Sequence, residues 1–148
     1  MEDIRQAVGI FVVHESDWLM IEKIKRMDAD ETKMESRWDI VKGGVEPGDD
    51  SLEVAALREL VEETGSDAYT IEESFDEPIS FSYPHDVAEE MGYDGQSTHM
   101  FLATFQGDAE DLDPDEKEIG SVAFFDRDTF VEKIPFNDVR QYYLDHID

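Results

Sequence analysis

The stretch GGVEPGDDSLEVAALRELVEETG, Gly43 to Gly65, constrains its local structure from both ends. Leu52, Ala55, Ala56, Leu60 and Val61 recur at helical spacing and predict a helix over Ser51 to Thr64. Asp50 or Ser51 suits the N-cap, Glu53 faces the positive end of the helix dipole, and Gly65 suits the C-terminal cap. Glu59, Glu62 and Glu63 then stand at i, i+3 and i+4, one turn apart on one face. Like charges this close repel unless something compensates them. A solvated acidic face is one solution. The other is a divalent cation such as Mg2+ or Mn2+, which takes hard oxygen donors of this kind. Arg58, next in line, is placed to hold one carboxylate through a bidentate contact.

The rest of the chain supplies strands. Gln6 to Val13 and Asp17 to Ile24 read as a hairpin turning at His14-Glu15-Ser16. Met27 to Arg37 is polar and reads as a loop, and Trp38 to Val41 as a short strand running into Lys42-Gly43-Gly44. Tyr69 to Phe75, Ile79 to Tyr83, Thr98 to Gln106 and Ile119 to Phe125 are further strands. Pro84 to Gly95 reads as a loop holding one helical turn, and Thr129 to Lys133 and Asn137 to His146 as helices. The expected architecture is α/β, a mixed sheet between helices, in one domain spanning residues 1–148.

Composition narrows the class of partner. Thirty-nine acids against 12 bases give a net charge of −27. Such a field repels polyanions at low salt, so an anionic ligand needs bound cations or a local basic cluster, and the same acidity suits a salt-rich solvent. With no Lys/Arg patch, DNA binding through a basic surface is not expected. There is no apolar run long enough to span a membrane, and no leader-like N-terminus, which fits a cytoplasmic protein. The chain has no cysteine, which excludes disulfides, thiolate metal sites and a cysteine nucleophile.

Gly44 followed by Arg58-Glu59-Leu60-Val61-Glu62-Glu63-Thr64-Gly65 resembles the Nudix box, a long and specific motif. The resemblance implies the Nudix fold and a pyrophosphohydrolase acting on acid anhydrides of nucleotides, with Mg2+ or Mn2+ as cofactor. It implies metal ligands at Gly44 (through its carbonyl), Glu59, Glu62 and Glu63. The box's first glutamate is replaced: counting back from Arg58 gives Asp50, and counting forward from Gly43 gives Asp49 with one extra residue before the arginine. One aspartate is expected to do the glutamate's work and the other to cap the helix.

The likeness extends beyond the box. Arg5-Gln6-Ala7-Val8-Gly9-Ile10, Trp38 to Gly48, Phe81-Ser82-Tyr83-Pro84, Gly95-Gln96 and Phe136 to Arg140 resemble the branch that hydrolyses RNA 5′-pyrophosphates and dinucleoside polyphosphates. That branch implies a nucleotide or RNA 5′ end as partner, with Arg5, Lys42, Trp38, Tyr83 and Gln96 as substrate-binding residues. Glu118 matches a family glutamate outside the box, so the implied catalytic set is Glu62, Glu63, Glu118 and Arg58. After Gly95-Gln96 the branch often carries basic residues, where this chain has Ser97-Thr98-His99 and only His99 can be cationic. Two rival readings keep the same fold: a housecleaning hydrolase of nucleoside triphosphates or of nucleotide sugars such as ADP-ribose, and a catalytically weak nucleotide-binding module.

Overall fold

A computed structural model describes residues 3–26, 34–114 and 119–147. Its framework is strand β1 (Ile4–His14), in which every residue from Ala7 to Val12 is buried. A strand covered on both faces reads as a continuous apolar run, as AVGIFVV does. Val8, Ile10 and Val12 face one core; Phe11 faces another.

β1 turns into β2 (Asp17–Arg26) through Glu15 and Ser16, both with positive φ (50° and 75°), the twist-matched geometry of a tight hairpin. β2 pairs with β3 (Met34–Asp39) and with β8 (Ile119–Phe125). On its other side β1 runs parallel to β7 (Gly95–Phe105), from Ile4 opposite Gly95 to Val13 opposite Thr104. β7 also carries β5 (Tyr69–Ser74) and β6 (Ile79–Ser82). β4 (Val41–Gly44) lies antiparallel on β1, with Gly43 opposite Val8 and Lys42 opposite Gly9.

Helix α1 (Leu52–Thr64) buries Ala55, Ala56 and Leu60 against the Val8–Ile10–Val12 core. Its cap is Ser51, whose hydroxyl accepts the Val54 N–H at 3.1 Å, and Gly65 ends it at φ 75°. Helix α2 (His85–Met91) follows β6; α3 (Arg127–Lys133) and α4 (Asn137–His146) contribute Phe130, Tyr142 and Tyr143 to the second core around Phe11 and Trp18. The sheet lies between helices, the α/β arrangement the sequence predicts. Among the described residues, no helix is long and apolar enough to cross a membrane.

Several boundaries differ from expectation, and the expected Trp38–Val41 strand is divided between β3 and β4. β3 occupies part of the segment expected to be a loop. It pairs antiparallel with β2, from Ile21 opposite Asp39 to Arg26 opposite Met34. β7 begins three residues before Thr98. α2 runs for seven residues where one turn is expected: it buries no side chain, and its marks are Pro84 before it and left-handed Gly92 after it.

Candidate active site

The loop between β4 and α1 is closed by one aspartate. The Asp49 N–H donates to the Glu46 carbonyl at 2.9 Å, and Asp49 Oδ2 accepts the Glu46 N–H at 2.8 Å. Asp49 also receives Arg58 in a two-pronged contact, Nε to Oδ1 at 2.9 Å and Nη2 to Oδ2 at 3.0 Å. Its side chain is only 4% exposed. Asp49 therefore holds the position that faces the arginine. Asp50 is exposed, and the expected capping role falls to Ser51 instead.

Arg58 continues past Asp49. Nη2 donates to the Gly44 carbonyl at 2.9 Å, and Nη1 donates to Glu59 Oε1 at 3.0 Å and to both Glu62 oxygens at 3.2 Å. Glu46 completes the ring at 3.6 Å. One guanidinium thus gathers the loop aspartate, the strand carbonyl and two helix carboxylates. Surrounded by these acceptors, Arg58 is held far more firmly in its charged form than a free arginine.

Two of the carboxylates it grips, Asp49 and Glu59, respond in opposite directions. The Arg58 hydrogen bond, aided by the Glu46 N–H, lowers the pKa of Asp49 below the usual range. Burial raises that of Glu59, with Arg58 opposing the rise. The stability that Asp49 contributes is complete above its unfolded pKa, near 3.9, and is lost as pH falls through the lower native value. Glu59 acts the other way: its contribution declines as pH rises from the unfolded value through the raised native one. In acid titrations followed by thermal melting, Asp49→Asn should be the less stable protein at neutral pH and should lose less stability below about pH 4 than the wild type. Parallel curves for the two proteins would contradict this pairing.

Glu59 is 8% exposed and lies against Gly43: a Cβ at Gly43 would stand 2.0 Å from the Glu59 carboxyl carbon. Gly44 is equally confined, with Arg5 Nη2 2.6 Å from where its Cβ would be. Arg5 therefore sits beside the glycine pair. Its Nη1 donates to Gln96 Oε1 at 2.7 Å, which also accepts the Tyr83 hydroxyl at 2.7 Å. Arg5, Lys42 and Gln96 line a cleft of about 520 Å³ together with Lys23, Phe81 and Phe136. Tyr83 reaches the cleft through Gln96.

Two expected residues, Trp38 and His99, do not line it. Trp38 packs edge-on against Phe125 at 5.2 Å, with Lys133 Nζ 5.9 Å from its ring. His99 bonds Gln6 at 2.8 Å, because along β7 it is Gln96, Thr98 and Met100 that line the cleft and the intervening residues face away. Glu118 lies outside the described residues. Conversely, Lys23, Phe136 and the buried Asp39 beneath Lys42 are cleft features that sequence reading missed. An i, i+3 spacing pairs charges on a helix and not along strands, so the sequence carried no signal for the last.

A NUDIX domain model matches residues 3–146. The chain belongs to the NUDIX family. It is accordingly a hydrolase acting on pyrophosphate bonds. This NUDIX chain is similar to the RNA pyrophosphohydrolase of a Nitratiruptor species, 32% identical over 122 residues that cover 81% of this chain and 72% of the relative. It is also similar to the RNA pyrophosphohydrolase of Wolbachia sp. subsp. Brugia malayi, 34% identical over 111 residues, covering 73% of this chain and 64% of that one. Its fold is that of a NUDIX hydrolase from Nitrosomonas europaea, with a TM-score of 0.69 at 20% identity over 97% of this chain and 88% of that one.

NUDIX hydrolases are generally dependent on divalent metal. Here the Gly44 carbonyl, Glu59 and Glu62 already converge on one positive group, Arg58 Nη1 and Nη2, and all are hard oxygen donors. That chemistry fits Mg2+ or Mn2+. Among the described residues, no three acidic or histidine side chains form a closed metal cluster, and the carboxylates are drawn onto the arginine instead.

Proposed function

We propose that this NUDIX protein is a metal-dependent pyrophosphohydrolase of nucleoside polyphosphates, acting on 5′-triphosphorylated RNA ends or dinucleoside polyphosphates. The observation that carries the reading is the cleft. In a chain of charge −27 with 12 basic residues, Arg5, Lys23 and the Asp39-paired Lys42 line one cleft in which Asp138 is the one acid among the described lining residues, and the cleft borders the glycine that backs onto Glu59. Cations gathered against such an excess of acid point to an anionic ligand. The names and identities of the relatives favour the RNA end, and the Phe81 and Phe136 rings on the cleft wall suit a base beside the phosphates.

Glu59, Glu62, Glu63 and the Gly44 carbonyl would hold the cation, with Asp49 acting through Arg58 to keep them in place. Asp50 is exposed and has no part in the reading. A divalent ion held by these groups would supply Lewis-acid polarisation of the phosphate and make the attacking water more acidic. One carboxylate, of Glu62, Glu63 or Glu118, takes the proton of the attacking water. Arg5, fixed by Gln96 and Tyr83, stabilises charge on the departing phosphate.

The test is product analysis with Mg2+ and with Mn2+, in low and in molar KCl. The panel is 5′-triphosphorylated RNA, diadenosine tetraphosphate, ADP-ribose and the nucleoside triphosphates. RNA or dinucleotide cleavage is expected. Turnover of ADP-ribose or free nucleotides alone would remove the substrate assignment and leave the family intact.

A further inference from the structure

Lys42 lines the cleft, yet its ammonium is already engaged. Nζ lies 2.9 Å from Asp39 Oδ2. Asp39 is wholly buried, and its other oxygen accepts the Ile40 N–H at 2.8 Å. Among the described residues Oδ2 has no well-aligned hydrogen-bond partner, so the lysine charge is what compensates it. Nζ is also 4.4 Å from the centroid of the Phe136 ring. The lysine stem crosses Gly9, where a Cβ would meet Lys42 Cγ at 3.4 Å.

Swinging Lys42 toward a ligand would strand a buried carboxylate, which is strongly unfavourable. Arg5 is in a different state. Its hydrogen-bond partner is the neutral Gln96 amide, so its charge is not cancelled by that contact.

We infer that Asp39 is a positioning residue that determines what the cleft binds: it fixes Lys42 into the wall and withholds that charge from the ligand, leaving Arg5 and Lys23 as the cations that meet a polyphosphate. This rests on reading the cleft as the phosphate site. A lysine beside a glycine loop is ordinarily a phosphate contact; the buried acid three residues earlier removes it from that role here.

The experiment is calorimetric titration with ADP in the presence of Mg2+ over a series of KCl concentrations. Asp39→Asn is the main variant, Asp39→Ser a second that avoids placing an amide against the ammonium, and Arg5→Ala the control for the cleft. Circular dichroism checks each fold. Freeing Lys42 should tighten ADP binding about five- to tenfold, the effect of one additional charge contact. The plot of log Kd against log salt should steepen by about one ion. Adding Lys42→Met to Asp39→Asn should abolish both gains. A purely structural Asp39 would lower stability without steepening the salt dependence. If Arg5→Ala weakens binding while folded Asp39 variants bind no tighter than wild type, the inference fails and the phosphate cleft stands. If Arg5→Ala changes nothing, the cleft reading fails and takes the inference with it.

Discussion

Gly43→Ala should leave the protein folded and lower turnover by about 100-fold, the loss that follows when a reacting group is displaced by roughly 1 Å. The backbone at Gly43 does not have positive φ, so alanine is conformationally allowed there. In an extended strand, replacing glycine can even stabilise slightly by restricting the unfolded chain. The collision is confined to one group. The new methyl would overlap the Glu59 carboxyl, whose carbon and oxygens lie 2.0, 2.2 and 2.3 Å from the ideal Cβ. That carboxyl ends a side chain with several free torsions, so it yields while the strand stays in place. It cannot yield and also keep its 3.0 Å contact with Arg58 Nη1. The substitution moves one proposed metal ligand while leaving the protein's charge unchanged. Steady-state rates with Mg2+, compared with a thermal melt, separate the two consequences. A Gly43→Ala protein within about threefold of wild-type turnover would show that Glu59 is not needed where it stands.

The same few residues show where sequence reading reaches its limit. The helix and its carboxylate face were legible because α1 obeys helical periodicity against a core, and its caps are the residue types caps require. The choice between Asp49 and Asp50 was not. Spacing from either end of the motif gives a different answer, and the decision is made by a turn: Asp49 closes onto Glu46, which leaves Ser51 to cap. Tyr83 and Gln96 were named as separate candidates. That they act as one device with Arg5 depends on β1 and β7 running parallel with Arg5 opposite Gln96.

Trp38 was named for the substrate through the likeness of its segment to the branch, and in the structure its ring packs edge-on against Phe125. Asp39, between Trp38 and Ile40, was invisible as a buried acid. Its burial depends on the end of Lys42 reaching back to it from β4. Periodicity reports which face a residue occupies. It does not report which distant group neutralises it.

Arg58→Met should be the most destabilising single change at this site. Arg58 is one-fifth exposed and serves Asp49, Glu59, Glu62 and the Gly44 carbonyl at once. Removing it leaves the little-exposed carboxylates of Asp49 and Glu59 without their counter-charge. Removing one partner and leaving the others uncompensated is destabilising, so the Tm should fall by several degrees. Adding Asp49→Leu should recover part of that loss, because removing both members of a buried pair is far cheaper than removing one. Turnover should not recover with it. The leucine relieves the unpaired charge but nothing then holds Glu59 and Glu62 beside the Gly44 carbonyl. Stability and activity are therefore expected to separate in the double variant, measured by melting and by Mg2+-dependent hydrolysis of the preferred substrate. If activity returned in step with stability, Arg58 would be a structural tie for the loop and not the organiser of the carboxylates. If Arg58→Met melted with the wild type, the network drawn around its guanidinium would be wrong.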